Sequence, residues 1–507
     1  MMNRRLTLSL LALLAAYSQA QENNYRYADA TQAWRLTNNA AALGLDSTEN
    51  RGYALFNADH QSGDYKRVQE GLPTNQLRFK TERYQTIGKY LHGYGRFDFD
   101  YGREKNRAWC DVMRPYDANP YMAGSAIKGK YDFQDFDFTA ALGTVDLNNW
   151  RYGLRLDYKV GDLSRLRDPR SRSQLLDYKL SPSVVHTMGR HTVGLSASYQ
   201  RRKEKITGVT TVQQDPTLKY YLMTGMEHAE GTTGGYSSFA REWVDHTFAA
   251  EISYGYRHAD GHSVVAASIA RDNEYVYGQY KYEPGRFTGF TYALDAHHRS
   301  KEGRLLHQLD LHVSYRQAYA DEYRQKLQQE KDAKTGFTSF YYTNLMTFKK
   351  RYQVNCFEAN MRYRAHLTSQ KDEKAYFGAS ISLNDNENKY LLPTSRLSHG
   401  GTLLLTEGGT AIGKRLWIDA EVGGFLSQEA ALSLADPDTD YAQQVLLTDM
   451  NYYRANYWTG KVAVSYQFPL TLKGQTSWWF VRAYGSYVRA NGQMDCRCIG
   501  LSIGLYN

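Results

Sequence analysis

After its first twenty residues, this chain of 507 residues has no long apolar run. Its mean hydropathy is −0.63, and no later stretch offers the roughly 20 consecutive apolar residues that a transmembrane helix needs. This absence excludes a helical membrane protein. It does not exclude an outer-membrane β-barrel, because half of each barrel strand faces a polar lumen.

Proline and cysteine are also scarce, with 10 and 4 residues, whereas tyrosine reaches 43. No Pro/Ser-rich linker separates a second domain. The tyrosine excess suits rings at membrane interfaces, where one end of the side chain is apolar and the other is wet. The formal net charge of +9 favours either an anionic partner or a solvated surface. No basic and aromatic module indicates nucleic acid.

The first twenty residues have the features of a cleavable export signal. Arg4 and Arg5 precede an apolar stretch at 6–16, and small residues predict cleavage after Ala20. Gln21 follows the predicted cut, so a lipid-anchored lipoprotein is not expected. We therefore expect residues 1–20 to be a signal peptide and the protein to reach the cell outer membrane.

The segment Trp150–Gly161 alternates apolar and polar or small residues with a strict period of two. A strand with this pattern places all of its apolar side chains on one face. The same alternation recurs to the end of the chain at 498–505. We expect the apolar members of the first segment to face the membrane, namely Trp150, Tyr152, Leu154, Leu156, Tyr158 and Val160.

These strands predict an all-β fold, a transmembrane antiparallel up-and-down β-barrel of about 18 strands (range 14–18) over residues 51–507. Residues 21–50 do not alternate and are expected to form a periplasmic or plug segment. Short periplasmic turns should alternate with long extracellular loops. The long connections are predicted at 102–130, 162–173, 207–244, 324–349, 384–400 and 428–454.

A barrel of this width leaves a lumen unless a segment fills it. The N-terminal segment and the loops at 207–244 and 428–454 are candidate plugs. The polar faces of the strands predict a lumen of mixed charge rather than a strongly ion-selective one. The candidate lumen residues are Arg151, Arg155, Asp157, Lys159, Asp310, His312, Arg316, Glu358, Arg362, Arg364, Asp419 and Glu421.

The chain resembles outer-membrane barrels of Bacteroidota, and the whole mature chain is similar to an uncharacterised family of them. The resemblance is carried by the signal ending S-Q-A-Q, the segment T-N-N-A-A-A-L-G-L at 37–45, and the final strand I-G-L-S-I-G-L-Y-N. The A-A-L-G-L element is similar to a motif of FadL-like transport barrels, although Asn39-Ala40 replaces Asn-Pro. The final strand is similar to the signal read by the barrel-assembly machinery, with Gly500, Ile503 and Leu505 at matching places.

The four cysteines are Cys110, Cys356, Cys496 and Cys498. Export to an oxidising compartment permits a disulfide, and we expect Cys110 to pair with Cys496 or Cys498. Free thiols and a metal site are the alternatives. Asp436–Asp440 begins like a calcium loop but lacks the later glycine and glutamate, so no metal site is predicted.

Four arginines at positions 165, 167, 170 and 172 crowd one predicted outer loop. They could contact lipopolysaccharide phosphates, or they could simply be solvated. The other expected partners are outer-membrane lipids, the barrel-assembly machinery, and an unknown solute or surface protein.

The predicted function is a channel or transporter for an unidentified solute. The alternatives are a non-transporting scaffold or secretion partner for surface proteins and, third, an outer-membrane hydrolase. His297, His298 and His312 are the histidines a hydrolase would draw on, but none stands at a diagnostic spacing from Ser or Asp. We therefore assign no catalytic residues, expect no enzyme, and predict no cofactor.

Overall fold

The computed structural model describes residues 22–46, 50–114, 119–211, 218–233, 239–472 and 475–506. The predicted signal peptide and its cleavage site lie outside the described residues.

Strands make up most of the described chain. They are β1 (Arg51–Gly63), β2 (Thr74–Ile87), β3 (Leu91–Arg107), β4 (Ala123–Gly124), β5 (Gly129–Thr144), β6 (Trp150–Arg165), β7 (Arg172–Met188), β8 (His191–Val209), β9 (Lys219–Gly225), β10 (His228–Thr233), β11 (Phe239–Arg257), β12 (Gly261–Tyr277), β13 (Gly285–Glu302), β14 (Leu305–Lys331), β15 (Thr338–Ser369), β16 (Asp372–Tyr390), β17 (Ser395–Ile412), β18 (Leu416–Ser433), β19 (Tyr457–Leu472), β20 (Gln475–Ala490) and β21 (Asp495–Tyr506).

The described helices are short. They are α1 (Glu22–Thr31), α2 (Leu447–Tyr453) with a π-helical turn before it (Ala442–Leu446), and 3₁₀ turns at Trp34–Leu36, Ala40–Gly44, Gln279–Lys281 and Asn491–Gln493. None of these helices has the length and apolar character needed to cross a membrane.

Within the described residues, eighteen strands form one antiparallel sheet that closes on itself. Each strand pairs with its neighbours along the chain, and β1 pairs with β21, so that Tyr53 lies opposite Tyr506 and Gly63 opposite Cys496. The short strands β4, β9 and β10 form a separate sheet. The predicted barrel and its strand number are confirmed, and closure leaves the wall without an unpaired edge.

The wall alternates as the sequence pattern predicts, and β6 illustrates why. Tyr152 and Leu154 are 51% and 47% exposed on the outer face. Arg155, the next residue after Leu154, points to the other face and borders a cavity in the lumen. Towards the end of β6 the inner face becomes buried, and Leu163 and Arg165 are only 3% and 4% exposed. Chain segments inside the barrel cover this end of the wall.

Short connections lie at one end of the barrel and longer ones at the other, but the prediction of a long loop is wrong at three places. Strands occupy half of 162–173 and most of 324–349 and 384–400, and connections of four to six residues remain there. The largest difference lies in β14 and β15, which are 27 and 32 residues long. Polar residues there belong to a two-stranded ribbon that extends past β13 and β16. Loss of apolar alternation therefore marked the end of the membrane band rather than the end of the strand.

Candidate functional site

Residues 22–46, here called the inner plug, lie inside the barrel near its short turns. The Glu22 carboxylate is buried and accepts a hydrogen bond from Ser465 Oγ at 2.7 Å. The backbone N–H of Glu22 donates to Gln467 Oε1 at 3.1 Å. Both partners belong to β19, so the start of α1 is attached to the wall by polar contacts.

Arg26 continues these contacts one helical turn later. Its guanidinium donates two hydrogen bonds to Asp419 on β18, at 2.9 and 3.1 Å, and lies 4.4 Å from the centre of the Trp417 ring. Asp419 also accepts from Arg482 at 3.0 Å. Burial acts to lower the pKa of Arg26, but Glu22 and Asp419 outweigh it and hold that pKa above its ordinary value. The guanidinium therefore stays charged inside the lumen.

A second group of contacts centres on Glu82 of β2. Tyr25 and Arg35 both donate to its carboxylate, the arginine at 3.3 Å. Burial and the negative charge of Glu82 raise the pKa of Tyr25 well above its usual value. On the far wall, Asn38 donates to Glu251 of β11 at 3.0 Å. The inner plug thus spans the lumen from one side to the other through charged and amide groups.

Glycines of the wall admit the 3₁₀ turns of the inner plug. The Ala41 N–H donates to Ser183 Oγ at 3.0 Å, and a Cβ on Gly153 would lie 2.1 Å from that same nitrogen. A Cβ on Gly255 would lie 2.4 Å from the Trp34 ring. Only glycine permits such an approach without a shift of the neighbouring chain.

The other end of the lumen is filled by long loops, here called the outer plug. Its described parts are residues 108–114, 119–126, 218–233 and 434–456. Many of their buried residues form a large apolar cluster with the wall at this end, which includes Tyr121, Tyr220, Met226, Phe287 and Tyr352. A second, smaller cluster lies around Trp109 and Tyr441. The predicted plug loops at 207–244 and 428–454 thus contribute described residues, and the loop after β3 contributes as well.

Aromatic packing and a few buried hydrogen bonds order the outer plug. Trp109 is 1% exposed, and its ring centre lies 4.3 Å from that of Tyr221. Gln69 Nε2 donates to the Trp109 carbonyl oxygen at 3.0 Å. From the wall, Trp243 Nε1 donates to the Tyr121 carbonyl at 2.6 Å. These contacts bury more large rings than those of the inner plug do. Buried charges occur here as well, since Asp111 lies 3.8 Å from Arg165 and Glu227 accepts a hydrogen bond from Ser395 Oγ.

Cavities remain between the plugs and the wall. One of about 700 Å³ lies between α1 and the arc of wall from β15 through β21 to β1 and β2. A second, of about 430 Å³, lies between the inner plug and β1 to β6. A third, of about 220 Å³, lies between the outer plug and β15 to β17. Within the described residues, no three His, Cys, Asp or Glu side chains come together as a metal site would require.

The predicted lumen residues divide between these cavities and ion pairs in the wall. Arg362, Arg364, Asp419 and Glu421 line the cavity of about 700 Å³, and Arg155 lines the one of about 430 Å³. Arg364 donates two hydrogen bonds to Glu407, both at 2.8 Å. The remaining predicted residues lie elsewhere on the wall.

Most of these remaining residues pair along or across strands. The nitrogen–oxygen distances are 2.8 Å for Arg151 and Asp146, 2.8 Å for Arg155 and Asp157, 3.8 Å for Lys159 and Asp135, 2.9 Å for His297 and Asp310, 2.7 Å for His312 and Asp295, and 3.0 Å for Arg316 and Asp272. Glu358 lies on β15 opposite Ser314. The structure thus brings two histidines beside aspartates that sequence spacing did not connect.

The predicted disulfide is absent, because all four cysteines are free. The Cys110 thiol is enclosed in the outer plug beside Arg107 and the Val112 carbonyl. Cys496 lies instead in β21, where its sulfur accepts from Gln61 Nε2 at 3.2 Å. Burial raises the pKa of the Cys110 thiol to about 11, although Arg107 acts in the opposite direction.

The arginine cluster is also not one surface patch. Arg165 is buried and donates to the Tyr131 hydroxyl at 2.7 Å, so neither alternative, a lipopolysaccharide contact or a solvated side chain, holds for this residue. Arg170 and Arg172 pair with nearby Asp168 and Asp162.

In the last strand, β21, the three residues of the predicted assembly signal have different surroundings. A Cβ on Gly500 would meet the Tyr484 ring at 2.2 Å, Ile503 is 45% exposed and Leu505 is buried. Their recognition by the assembly machinery stays a prediction.

Sequence reasoning missed the wall residues that receive the inner plug. Gly153 lies inside the alternating segment of β6, where a glycine in a strand is a known sign that another backbone comes close. Trp417 and Glu82 carried no such signal. The partner of Trp417 is Arg26, several hundred residues earlier in the chain, and that of Glu82 is Tyr25, several tens of residues earlier. Such partners meet only in the folded barrel.

An eighteen-stranded barrel with a polar inner plug and an apolar outer plug belongs to the class of outer-membrane β-barrels. The chain is a member of a family of unknown function, DUF6850, which matches residues 40–507. No curated protein matches the chain.

Solved structures with a similar fold include three outer-membrane proteins. The siderophore receptor PirA from Acinetobacter baumannii shares 8% identity over 91% of this chain and 81% of its own, with a TM-score of 0.39. The FrpB iron transporter from Neisseria meningitidis (F3-3 variant) shares 10% over 92% and 82%, with a TM-score of 0.39. OpdK from Pseudomonas aeruginosa, solved with vanillate, shares 9% over 90% and 98%, with a TM-score of 0.34. Similarity this distant carries no argument about solute or mechanism.

Proposed function

We propose that this chain is an outer-membrane channel or transporter for a polar solute, and that the inner plug is its gate. The observation that carries the proposal is the attachment of Arg26 to Asp419, across one side of the cavity of about 700 Å³. Because Arg26 and Asp419 both border this cavity, water can hydrate the two side chains when the plug moves and their contact breaks. Each such hydrogen bond contributes only about 1 to 3 kcal/mol net, so this contact can open without unfolding the wall.

The arrangement of cavities supports a route along one part of the wall. The outer cavity of about 220 Å³ touches β15 at Tyr352 and β17 at His399. The inner cavity of about 700 Å³ touches the same strands further along, at Arg362 and Glu407. A solute that entered past α2 would therefore move down β15 and β17 to reach the inner plug.

The proposal places the barrel in the outer membrane with its short turns in the periplasm, following export by the predicted signal peptide. Its exposed outward residues, such as Tyr152 and Leu154, then contact lipid. The barrel-assembly machinery is the expected insertion partner.

Planar-bilayer recording of the mature barrel with and without residues 22–46 tests the proposal. The intact barrel is expected to stay closed for most of the record. The shortened barrel is expected to conduct in bursts when α2 moves, because the outer plug still narrows the other end of the lumen. Heat-modifiable migration in detergent gels checks that both proteins are folded. Two folded barrels that never conduct would contradict transport and favour a scaffold.

One observation favours the second candidate function, a scaffold or assembly partner for surface proteins. The ribbon formed by β14 and β15 exposes large apolar side chains, with Leu327 42%, Phe337 72% and Leu345 66% exposed. Exposed apolar clusters of this kind mark interaction surfaces. If the scaffold function holds, deletion of 324–349 should abolish cross-links to a surface protein in intact cells. Unchanged cross-links from a folded variant would contradict it.

A further inference from the structure

The cavity of about 700 Å³ beside α1 has an excess of cationic side chains. Three carboxylates line it, those of Glu407, Asp419 and Glu421. The cationic residues that line it are Arg26, Lys80, Arg362, Arg364, Lys461 and Arg482. Its size is that of a site for a small organic molecule, which ordinarily lies between about 300 and 1,000 Å³.

Two of the three carboxylates are already neutralised by arginines. Glu407 accepts two hydrogen bonds from Arg364 at 2.8 Å. Asp419 accepts from Arg26 and from Arg482 at 3.0 Å, and also from Trp417 Nε1 at 2.8 Å. These carboxylates therefore have little remaining capacity to attract a cation or repel an anion.

Lys80 and Lys461 are the cationic groups left over. Neither lysine forms an ion pair or hydrogen bond with another described residue. Glu421 lies opposite Lys461 in the strand register and Asp98 lies opposite Lys80, but neither carboxylate forms an ion pair with its lysine. The Lys80 ammonium lies 6.0 Å from the centre of the Tyr53 ring. Two cationic groups inside a partly enclosed lumen create a positive potential that is screened less than on an open surface.

The two lysines stand at opposite ends of an arc. Lys461 is on β19 and Lys80 on β2, four strands apart in the order of the barrel. At about 4.8 Å per strand, they are roughly 19 Å apart across the strands. Through β20, β21 and β1, Lys461 is in register with Thr74 on β2, so Lys80 lies about 20 Å further along the strand direction. Arg482 on β20 lies between the two lysines. Because the positive charge is spread over the cavity, an anion with more than one acidic group gains more from it than a monovalent anion does.

We infer that this cavity binds a small organic anion that carries two or more carboxylate or phosphate groups. The inference rests on the proposed function in one respect, because the anion would be the transported solute. Lys80 and Lys461, which no described carboxylate holds within ion-pair distance, supply positive charge beyond that of the paired arginines, and the tyrosine rings of the wall supply the apolar contact.

Titration calorimetry on the full mature barrel in detergent tests the inference, with citrate and pyrophosphate as charged probes and sucrose as a neutral one. We expect one or both anions to bind and sucrose not to bind. The double variant Lys80→Met/Lys461→Met should bind the anion about tenfold or more weakly, since a hydrogen bond to a charged group is worth about that factor or more. Absence of binding by both anions, or stronger binding of sucrose, would overturn the inference.

A matched control removes the same charge elsewhere. Lys326→Met/Lys349→Met changes two exposed lysines on the ribbon of β14 and β15 and should leave the affinity unchanged. Equal losses in both double variants would show a general charge effect and overturn the site. Heat-modifiable migration confirms folding of each variant, so a loss of affinity is not a loss of fold.

Bilayer recordings separate the failure of this inference from the failure of the proposed function. Anion binding by a barrel that never conducts supports the cavity as a binding site and contradicts transport. A conducting barrel lacking residues 22–46 that shows no anion preference in its reversal potential contradicts the inference and leaves transport standing. An anion preference that decreases in Lys80→Met/Lys461→Met supports both.

Discussion

The two plugs close the same lumen with different chemistry. The outer plug packs large rings into a cluster of nineteen buried residues. The inner plug shares a much smaller apolar cluster with the wall, in which Trp34 is the large ring among the described residues. Tyr25 packs on Tyr53 at 5.3 Å between ring centres, and many of the other contacts are ion pairs and hydrogen bonds such as those of Arg26 and Arg35.

This difference predicts different behaviour. Removing a packed ring from water-free surroundings costs several kcal/mol and leaves a void. Exchanging a hydrogen bond at the edge of a cavity for water, such as those of Arg26 to Asp419, costs less. We therefore expect the outer plug to be a permanent part of the fold, apart from movement of α2, and the inner plug to be the part that is displaced.

The largest expected effect follows from loss of a ring in the outer plug. Trp109→Ala removes an indole that is 1% exposed and packed on Tyr221. The closed arrangement of the outer plug should lose about 3 to 5 kcal/mol. Limited proteolysis from the long-loop side should then cleave the plug loops, which resist cleavage in the parent protein. Unchanged resistance would mean that the outer plug does not depend on this packing.

A change in the wall alone should displace the inner plug. Gly153→Val places side-chain atoms where the Ala41 nitrogen now lies, and such overpacking costs about 1 to 3 kcal/mol. We expect the variant to conduct in bilayers as the barrel lacking residues 22–46 does. The control is Gly95→Ala, since no atom lies within 4 Å of a Cβ built there. A silent Gly153→Val barrel would contradict the gate.

A smaller effect is expected from Asp419→Asn. The substitution removes the charge that holds Arg26 and Arg482, at a cost of about 1 to 3 kcal/mol. The open time in single-channel records should rise by roughly tenfold or more. Asp260→Asn, on an exposed short turn, should leave the record unchanged. Equal open times in both variants would show that Asp419 does not hold the plug.

The smallest effect concerns the thiol inside the outer plug. Because burial raises the pKa of Cys110 to about 11, the thiol is neutral at pH 8 and should resist iodoacetamide in the native barrel. Its contribution to stability is fully present below the pKa of an unfolded cysteine, about 8.5, and declines as the pH rises towards 11.

Mass spectrometry after labelling measures both the reactivity and the oxidation state. Denatured protein without reductant should carry four labels, since all four cysteines are free. Rapid native labelling of Cys110 at pH 8 would contradict an enclosed outer plug. Two labels instead of four would show that one disulfide had formed, as the sequence predicted.

The barrel could be predicted from the sequence because its determinants are local. Alternation in β6 is a pattern of neighbouring residues, and every strand that has lipid on one face and the lumen on the other needs the same period of two. The ends of β14 and β15 could not be predicted, because outside the membrane neither face must be apolar. The site was partly accessible: Asp419 and Arg364 were placed in the lumen from their strand faces. Their partners Arg26 and Glu407 depend on how far the wall curves and where the plug enters, which no local pattern contains.

The most direct test of the two-plug account is hydrogen–deuterium exchange of the intact barrel, compared between the plugs within one molecule. We expect amides of 22–46 to exchange by local opening many times faster than those of 108–114 and 218–226, since exchange follows the free energy of local opening. Equal rates, or faster exchange in the outer plug, would contradict the claim that the inner plug is the gate.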